Sequence, residues 1–181
     1  MLDTLITSKT RIKLLLKFFL NSNSRSYLRN LETEFGESTN SIRLELNKFE
    51  NAGLLKTELD GNKKYFQANT SHPLFQDINN ILLKHLGFDQ IVERVVNKLG
   101  NLEKVYVTGD FAKGMDNNMI DLIFIGDDIN KEYLIKLIDK TESLIKRKIR
   151  YVVFGNNEFI EFMKARKVSD LLILWQMENQ E

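Results

Sequence analysis

The chain has 181 residues, of which 43% are hydrophobic and 28% are charged, so it can bury one large core or two small ones and is neither disordered nor collagen-like. Its 26 basic and 25 acidic residues give a formal net charge of +1, too even to predict polyanion binding from total charge. Cysteine is absent, which excludes disulfides and thiolate metal sites. The stretch Ile12 to Leu20 contains two lysines and is too short to span a membrane, so a cytoplasmic protein is expected.

Charge and turn-forming residues divide the chain near Pro73. Residues 1–72 hold 11 basic and 8 acidic side chains, whereas residues 73–181 hold 15 and 17, so the formal charges are +3 and −2. Pro73 is the single proline and follows His72 in a run of turn-forming residues, where helical geometry is disfavoured. We therefore expect a first domain over residues 1–72, connecting helices over 73–99 and a second domain over 100–181.

The first segment starts with the pattern of two helices. A helix from about Ser8 to Leu20 is predicted, because apolar residues recur at helical spacing at Ile12, Leu15, Leu16 and Phe19. A short second helix is expected to end at Gly36, a residue suited to the left-handed conformation that follows a helix. The polar stretch from Asn21 to Ser26 between them is expected to be a loop.

A third helix and a hairpin follow. Ser38 is placed to cap this helix and Gly53 to end it, and its buried stripe is predicted to be Ile42, Leu46 and Phe49. Strand-like runs on both sides of Asp60-Gly61-Asn62 predict a tight hairpin, because an Asp-Gly step favours the positive φ angles of such a turn. The predicted order is therefore helix, helix, helix, hairpin.

This order is typical of a winged helix-turn-helix, in which the third helix enters the major groove of DNA. Residues 8–70 resemble the winged-helix domains of ArsR-like transcriptional regulators, most clearly in Tyr27-Leu28-Arg29-Asn30-Leu31 and in the run from Leu46 to Leu55. The resemblance implies binding of double-stranded operator DNA, usually as a homodimer.

The outward face of the third helix carries residue types that suit DNA. Opposite the predicted core stripe, this face comprises Asn40, Arg43, Leu44 and Asn47. Asn suits bidentate contact with adenine, Arg suits guanine or phosphate, and Leu suits a thymine methyl or a partner subunit. Hydroxyls at the helix start can hold phosphate, namely those of Ser38, Thr39 and Ser41.

Two lysines beside the hairpin turn, Lys63 and Lys64, are placed to reach the DNA backbone. The alternative interpretation is a solvated polar face with an ordinary exposed turn. Winged helices also serve as protein-binding modules, and that interpretation stays open too.

The second segment predicts two helices and then a small α/β unit. Helical periodicity runs from about Leu74 to Lys98, with a break near Gly87. Strand-like runs then follow at Val105–Thr108, Met119–Ile125 and Ile149–Phe154. A long helix is predicted between the last two strands, from about Asn130 to Arg147. The apolar run from Leu171 to Trp175 fits either a strand or the last turns of a helix.

Two motifs in this unit carry a second resemblance. Gly109-Asp110-Phe111-Ala112-Lys113-Gly114 follows a predicted strand, and Met119-Ile120-Asp121 opens the next one. Over about residues 100–155 they are similar to the nucleotidyltransferase fold of the DNA polymerase beta superfamily. In that family a Gly-Ser loop approaches a triphosphate, and Asp residues two apart on a strand hold two Mg²⁺ ions. The expected fold class is α+β, a winged helix-turn-helix followed by a small nucleotidyltransferase-like α/β domain.

The chain departs from that family at its chemical positions. Gly109 and Gly114 keep the loop glycines, but Asp110 stands where a phosphate-binding serine is expected. Met119 replaces the carboxylate partner of Asp121, and a thioether is a poor ligand for Mg²⁺.

The predicted third strand carries Arg150 in place of an acid, and Arg150 is a candidate ion-pair partner of Asp121. Nearby acids do not indicate a rescued metal site, because they lie in loops or after the strand: Asp116, Asp127 and Asp128. His72 and His85 each stand alone and are expected to be ordinary surface or half-buried histidines. We therefore expect a degenerate nucleotide site with no catalytic residue, metal or cofactor.

The sequence thus predicts a transcriptional regulator that binds specific sequences of double-stranded DNA as a homodimer. Its second domain is predicted to be inactive as an enzyme and to serve dimerisation or the sensing of an unidentified small molecule. Two alternatives stay open. One is a metal-dependent nucleotidyltransferase acting on a small molecule, RNA or protein. The other is a protein-interaction module that merely keeps the winged-helix shape.

Overall fold

Residues 2–99, 101–164 and 171–177 are described in the computed structural model, which is mixed α/β with two separate sheets. The chain divides into two units. The first covers the chain up to His85 together with Gly114–Asp116, and the second covers Leu86–Lys113 and the chain from Asn117 onward. Within the described residues, no helix is both long and apolar enough to cross a membrane.

Three helices and a hairpin of the first unit follow one another in the predicted order, and a short helix before them and a short strand among them were not predicted. In chain order they are α1 (Leu2–Leu5), α2 (Lys9–Leu15), β1 (Arg25–Tyr27), α3 (Leu28–Phe35), α4 (Thr39–Asn51), β2 (Leu55–Asp60), β3 (Lys63–Ala68) and α5 (Phe75–Leu86). Helix α2 continues as a π-helical segment, Leu16–Leu20. The three strands form an antiparallel sheet in the order β1-β3-β2.

The predicted helix ends in this unit are confirmed. Ser8 Oγ accepts a hydrogen bond from the Arg11 N–H at 3.2 Å, and Ser38 Oγ accepts one from the Ser41 N–H at 3.2 Å. Gly36 follows α3 with a φ of 62°, a left-handed conformation that favours glycine over residues with a Cβ. Gly61 likewise has a φ of 58° in the hairpin turn.

The expected loop from Asn21 to Ser26 is partly wrong, because this stretch ends in strand β1. Ser26 is only 3% exposed and lies opposite Phe66, while Tyr27 lies opposite Tyr65. Pairing with β3 creates this strand, and three residues are too few to show alternation in the sequence.

Aromatic packing places α5 in the first unit. Phe19 makes an edge contact with Phe49 at 6.4 Å and stacks on Phe75 at 5.7 Å between ring centroids. The Asn79 side chain donates a hydrogen bond to the Phe19 carbonyl at 2.7 Å. These contacts attach the helix that follows His72 to the first unit. The domain boundary that the sequence places at His72 stays a prediction.

An unpredicted, partly buried ion pair joins α2 to α4. Glu45 is 7% exposed and accepts hydrogen bonds from Arg11 Nε at 2.8 Å and Arg11 Nη2 at 3.2 Å. Lys48 Nζ donates to the same carboxylate at 3.1 Å. The Arg11 hydrogen bonds hold the pKa of Glu45 below its usual value, although burial acts in the opposite direction.

The second unit is built on a four-stranded sheet in the order β6-β5-β4-β7. Its elements are α6 (Phe88–Ile91), a π-helical segment (Val92–Val96), α7 (Asn97–Leu99), β4 (Lys104–Thr108), α8 (Gly109–Ala112), β5 (Met119–Ile125), α9 (Lys131–Ile145), β6 (Lys148–Phe154), α10 (Asn156–Met163) and β7 (Leu172–Gln176). Strands β4 and β5 are antiparallel neighbours and β5 and β6 are parallel neighbours, so the motif-bearing segments meet in one sheet.

Most element predictions for this unit are confirmed, and two points are new. The break at Gly87 is confirmed by its φ of 83° between α5 and α6. The ambiguous run near the carboxyl end is a strand, β7, which pairs antiparallel with β4. Helix α10 was not predicted; Phe159 on this helix stacks on Tyr106 at 5.5 Å between ring centroids.

Candidate functional site

An open groove of about 730 Å³ lies in the first unit between the start of α3, the outward face of α4 and the hairpin. Four of the described side chains that line it are cations and none is a carboxylate. The lining residues are Tyr27, Leu28, Arg29, Arg43, Leu46, Asn47, Asn62, Lys63, Lys64 and Phe66. The groove therefore combines positive charge with amide hydrogen-bonding groups, which suits an anionic ligand that carries polar edges.

The outward face of α4 is exposed as predicted, because the apolar stripe on its other side is buried. Ile42 is 0%, Leu46 1% and Phe49 6% exposed. The side chains opposite this stripe are all exposed: Asn40, Arg43, Leu44 and Asn47. Leu44 is 53% exposed, so one apolar side chain lies among the polar ones on this face.

The hydroxyls at the start of α4 are partly engaged within the helix. Ser38 Oγ caps the helix and lies 2.8 Å from Ser41 Oγ, so these two hydroxyls share a hydrogen bond. Thr39 is half-buried. The three hydroxyls predicted to hold phosphate thus lie at the start of α4. The Ser38 hydroxyl oxygen already accepts one hydrogen bond as the helix cap.

The two hairpin lysines differ in their surroundings. Lys63 Nζ lies 4.7 Å from the centroid of the Tyr27 ring, a cation–π contact that leaves the ammonium at the groove. Lys64 Nζ instead contacts both carboxylate oxygens of Glu50 at 2.7 Å. The Lys64 hydrogen bond holds the pKa of Glu50 below its usual value, so Glu50 stays ionised and offsets the charge of Lys64.

Two features of the groove region are not predictable from local sequence patterns, namely the aromatic support of the hairpin and the position of Arg29. Tyr27 and Tyr65 form an edge contact with ring centroids 5.3 Å apart, and Arg25 lies 4.0 Å from the Tyr65 ring. Arg29 is exposed near the start of α3 and lines the groove. Tyr27 lies beside the hairpin because β1 pairs with β3, and a strand of three residues carries no sequence signal.

In the second unit, the structure brings part of the second predicted site together. Thr108 and Asp121 are paired across β4 and β5, which places Gly109 beside Asp121. A Cβ added at Gly109 would lie 2.6 Å from Asp121 Oδ2, and Gly109 has a φ of 68°. Asp110 does not cap α8; its Oδ2 accepts a hydrogen bond from Asn117 Nδ2 at 2.7 Å. Gly114 groups with the first unit and does not belong to this cluster.

The predicted ion pair between Arg150 and Asp121 is confirmed. Arg150 lies directly opposite Asp121 on the neighbouring parallel strand, and its Nε donates to Asp121 Oδ1 at 2.5 Å. This hydrogen bond raises the pKa of Arg150 further above its ordinary value. Met119 is 40% exposed two residues before Asp121, on the same side of β5.

These residues do not fit a pair of Mg²⁺ ions. Mg²⁺ needs oxygen ligands in octahedral geometry, whereas Met119 offers a thioether and Asp121 is already bound to a guanidinium. Over the residues that the structure describes, no group of three or more His, Asp or Glu side chains is placed to hold a metal ion. Asp127, one of the other candidate acids, accepts instead from Asn156 Nδ2 at 3.2 Å.

Searches of protein-family models and of curated proteins find no match to this chain. Among solved structures, the chain is similar to a mutant of the toxin–antitoxin MntA-HpeT at 16% identity, with 50% of this chain and 74% of that chain covered and a TM-score of 0.41. It is also similar to AF1382 from Archaeoglobus fulgidus at 19% identity, with 45% and 93% covered and a TM-score of 0.37. A proposed nucleotidyltransferase from Sulfolobus solfataricus matches at 28% identity, with 52% and 82% covered and a TM-score of 0.34. Because these TM-scores are low, the proposals below rest on the residues of this chain.

Proposed function

We propose that the first unit is a winged helix-turn-helix that binds double-stranded DNA, and that the protein is a transcriptional regulator. The observation that carries this proposal is the groove in which Arg29, Arg43 and Lys63 converge beside Asn47, with no described carboxylate in its lining. Cations position a protein on the phosphate backbone, while Arg and Asn side chains can also read base edges. Both kinds of contact are available on one surface.

The dimensions of α4 support entry into the major groove. An α-helix with its side chains is about 10–12 Å in diameter, and the major groove of B-form DNA is about 12 Å wide. Arg43 and Asn47 are four residues apart on the exposed face, which is about 6 Å along the helix axis. They therefore suit nearby base pairs, Arg43 a guanine and Asn47 an adenine, while the exposed Leu44 between them suits a thymine methyl.

Residues around this face supply contacts to the backbone. Lys63 on the hairpin and Arg29 on α3 both line the groove, so they suit phosphates that flank the bases read by α4. The polar groups at the start of α4 suit a third phosphate, because backbone N–H groups point outward from a helix start. On this proposal the protein acts as a homodimer on a partly symmetric site.

Selection from a random duplex library tests the proposal directly. The full chain, incubated with duplexes at low salt, is expected to enrich a motif, whereas an Arg43→Ala/Asn47→Ala double variant is expected to enrich none. The matched control is an Arg94→Ala/Asn97→Ala variant, because these exposed residues of the second unit have the same chemistry. Failure of the wild-type protein to enrich any motif would refute the proposal.

Lys63 and Lys64 are expected to differ in their contribution to binding. Alanine at Lys63 should weaken binding to all sequences alike and reduce the slope of log K against log salt by about one unit. Alanine at Lys64 should change the slope less, because Glu50 offsets its charge. Fluorescence anisotropy titrations at several salt concentrations measure both slopes, and a larger slope change for Lys64→Ala would contradict this assignment.

A metal-dependent nucleotidyltransferase is the second candidate function. The observation in its favour is the position of Gly109 next to Asp121, where a nucleotide-binding loop would meet a metal-binding carboxylate. Arg150 opposes that role, because it occupies Asp121 with a positive charge where a cation would have to sit. Asp110 also places negative charge beside the path of a triphosphate. We propose that this unit is an inactive nucleotidyltransferase-like domain that serves dimerisation or the sensing of a small molecule.

Calorimetric titration with Mg²⁺ and a nonhydrolysable ATP analogue, together with a nucleotide-transfer assay, distinguishes an active nucleotidyltransferase from an inactive nucleotidyltransferase-like domain. The wild-type protein is expected to give no saturable binding, and Met119→Asp alone is expected not to create activity, because Arg150 still holds Asp121. Ile135→Asp, an exposed aliphatic residue on α9, is the matched control. Saturable binding of the nucleotide together with nucleotide transfer to any acceptor would establish the enzyme instead.

A further inference from the structure

Another cavity of the first unit, of about 480 Å³, lies between α2, the end of α3 and the segment Gly114–Asp116. We call it the α2–α3 pocket. All of its described lining residues belong to the first unit, and none of them lines the DNA groove. Its volume is within the range of pockets that hold small molecules in proteins. A ligand in this pocket would therefore not occupy the residues that are proposed to contact DNA.

The apolar part of the lining suits an aromatic ring. Ile12 and Leu16 come from α2 and its π-helical continuation, where they are 8% and 2% exposed. Phe35 at the end of α3 and Met115 are both half-buried. A phenyl ring and a thioether each make favourable contacts with a further aromatic ring, beyond the gain from burying apolar surface. This lining therefore favours a ligand with a flat apolar body.

A close backbone contact fixes the segment that carries Met115. Gly114 is buried with a φ of 78°, and a Cβ added there would lie 2.7 Å from the Leu16 carbonyl oxygen and closer still to the Lys17 Cα. Leu16 opens the π-helical segment, and such segments are uncommon in proteins and frequent at functional sites. Backbone packing thus holds Met115 beside the π-helical segment, so the pocket is already formed without a ligand.

Ion pairs neutralise part of the charge at this pocket. Both carboxylate oxygens of Glu34 accept hydrogen bonds from Lys17 Nζ, at 2.8 and 2.9 Å. These two side chains are only 20% and 11% exposed, so the pair is shielded from water. Lys13 Nζ in turn donates to Glu37 at 2.8 Å. Glu34 and Lys13 therefore add little net charge to the lining.

The remaining charges favour a monoanion. Lys9 is exposed and forms no hydrogen bond or ion pair within the part of the chain that the structure describes. It precedes Lys13 by one helical turn on the same face of α2. The Lys13 ammonium also keeps one of its three N–H donors, since Glu37 and the Phe35 carbonyl take two. Asp116, an exposed acid of the lining, would repel a dianion more strongly than a monoanion.

We propose that the α2–α3 pocket binds a small aromatic carboxylic acid, whose ring lies among Ile12, Phe35 and Met115 and whose carboxylate pairs with Lys9. This binding site is separate from the proposed DNA-binding surface. It is measured without DNA, so a failure of DNA binding and a failure of ligand binding are separate results.

An NMR titration of the isotopically labelled full chain with naphthoate tests the ligand class. The chemical shifts of Ile12, Phe35 and Met115 are expected to change and to saturate, with a dissociation constant of about 1 mM or lower for a ligand of this size. Naphthamide has the same shape without charge, and naphthylmethylamine carries a positive charge. Both should bind at least about threefold more weakly, because neither pairs with an ammonium group. Absence of saturable changes at these residues, or equal binding of the amide or the amine, would overturn the proposal.

Variants test the two halves of the pocket separately. Lys9→Glu is expected to raise the dissociation constant of naphthoate by about threefold or more, whereas Lys56→Glu, at an exposed lysine of β2 outside the pocket, should leave it unchanged. Met115→Glu should raise the constant about tenfold, because it places a charge in the apolar lining, and the matched variant Met115→Leu should keep it within about threefold of the wild type. Lys9 is exposed, so its variant should fold. Unchanged binding by Lys9→Glu or by a folded Met115→Glu variant would contradict the assigned pocket.

Discussion

Arg43→Ala is expected to weaken binding of the selected duplex by about 1–3 kcal/mol and to relax the sequence preference at one position. The guanidinium is exposed on the outward face of α4 and lines the groove, so its removal should leave the fold unchanged. Arg pairs with the two acceptors of guanine in the major groove, and that pairing is lost for one base pair only. Binding titrations against the selected duplex and against single-base variants measure both effects.

Asn47→Ala serves as the parallel variant, because it should relax the preference at a different, nearby position. Arg94→Ala is the matched control, since this exposed arginine belongs to the second unit and does not line the groove. If Arg43→Ala weakened binding to every sequence alike, Arg43 would contact phosphate and would not read a base. That outcome would contradict the assignment of α4 as the reading helix.

Glu45→Gln is expected to lower the free energy of unfolding by about 1–3 kcal/mol at neutral pH, because hydrogen bonds to charged groups contribute about that much when buried. The Glu45 side chain is 10% exposed and is bound by Arg11 and Lys48, and glutamine cannot accept from both as an anion. Urea unfolding of the full chain measures the change in the transition of the first unit. A loss below about 0.5 kcal/mol would show that the pair contributes little.

The effect of Glu45→Gln should depend on pH in a defined direction. The pKa of Glu45 is lower in the folded protein than its ordinary value, so its contribution is complete above the ordinary pKa of glutamate. It is lost as the pH falls through the folded pKa, where both proteins carry a neutral side chain at this position. Glu58→Gln is the matched control: its partner is Arg25 and its side chain is 72% exposed, so the expected change is small at any pH.

Local patterns were sufficient to predict most helices and strands, because apolar spacing, caps and turn glycines act within a few residues. The apolar face of α4, its Ser38 cap and the glycine turns follow from neighbours in sequence. Strand β1 does not, because it exists only through pairing with a strand some forty residues later, for example Ser26 with Phe66. Glu45 escaped for the same reason, since its partner Arg11 lies on another helix.

The candidate sites were predictable to different degrees. The exposed residues of α4 follow from helical periodicity, whereas Tyr27 reaches the groove through the pairing of β1 with β3. The Arg150–Asp121 pair was accessible from sequence, because both residues lie on strands that the resemblance makes neighbours. The neutralisation of Lys64 by Glu50 was not, since it depends on how the hairpin packs beside α4.

The most direct test of the DNA-binding proposal is an NMR titration of the isotopically labelled full chain with the selected duplex. The proposal predicts that chemical-shift changes concentrate on Asn40–Asn47, Arg29 and Lys63, that they saturate, and that a scrambled duplex produces smaller ones. Changes that concentrate on residues 101–164 and leave α4 unaffected would contradict the central claim.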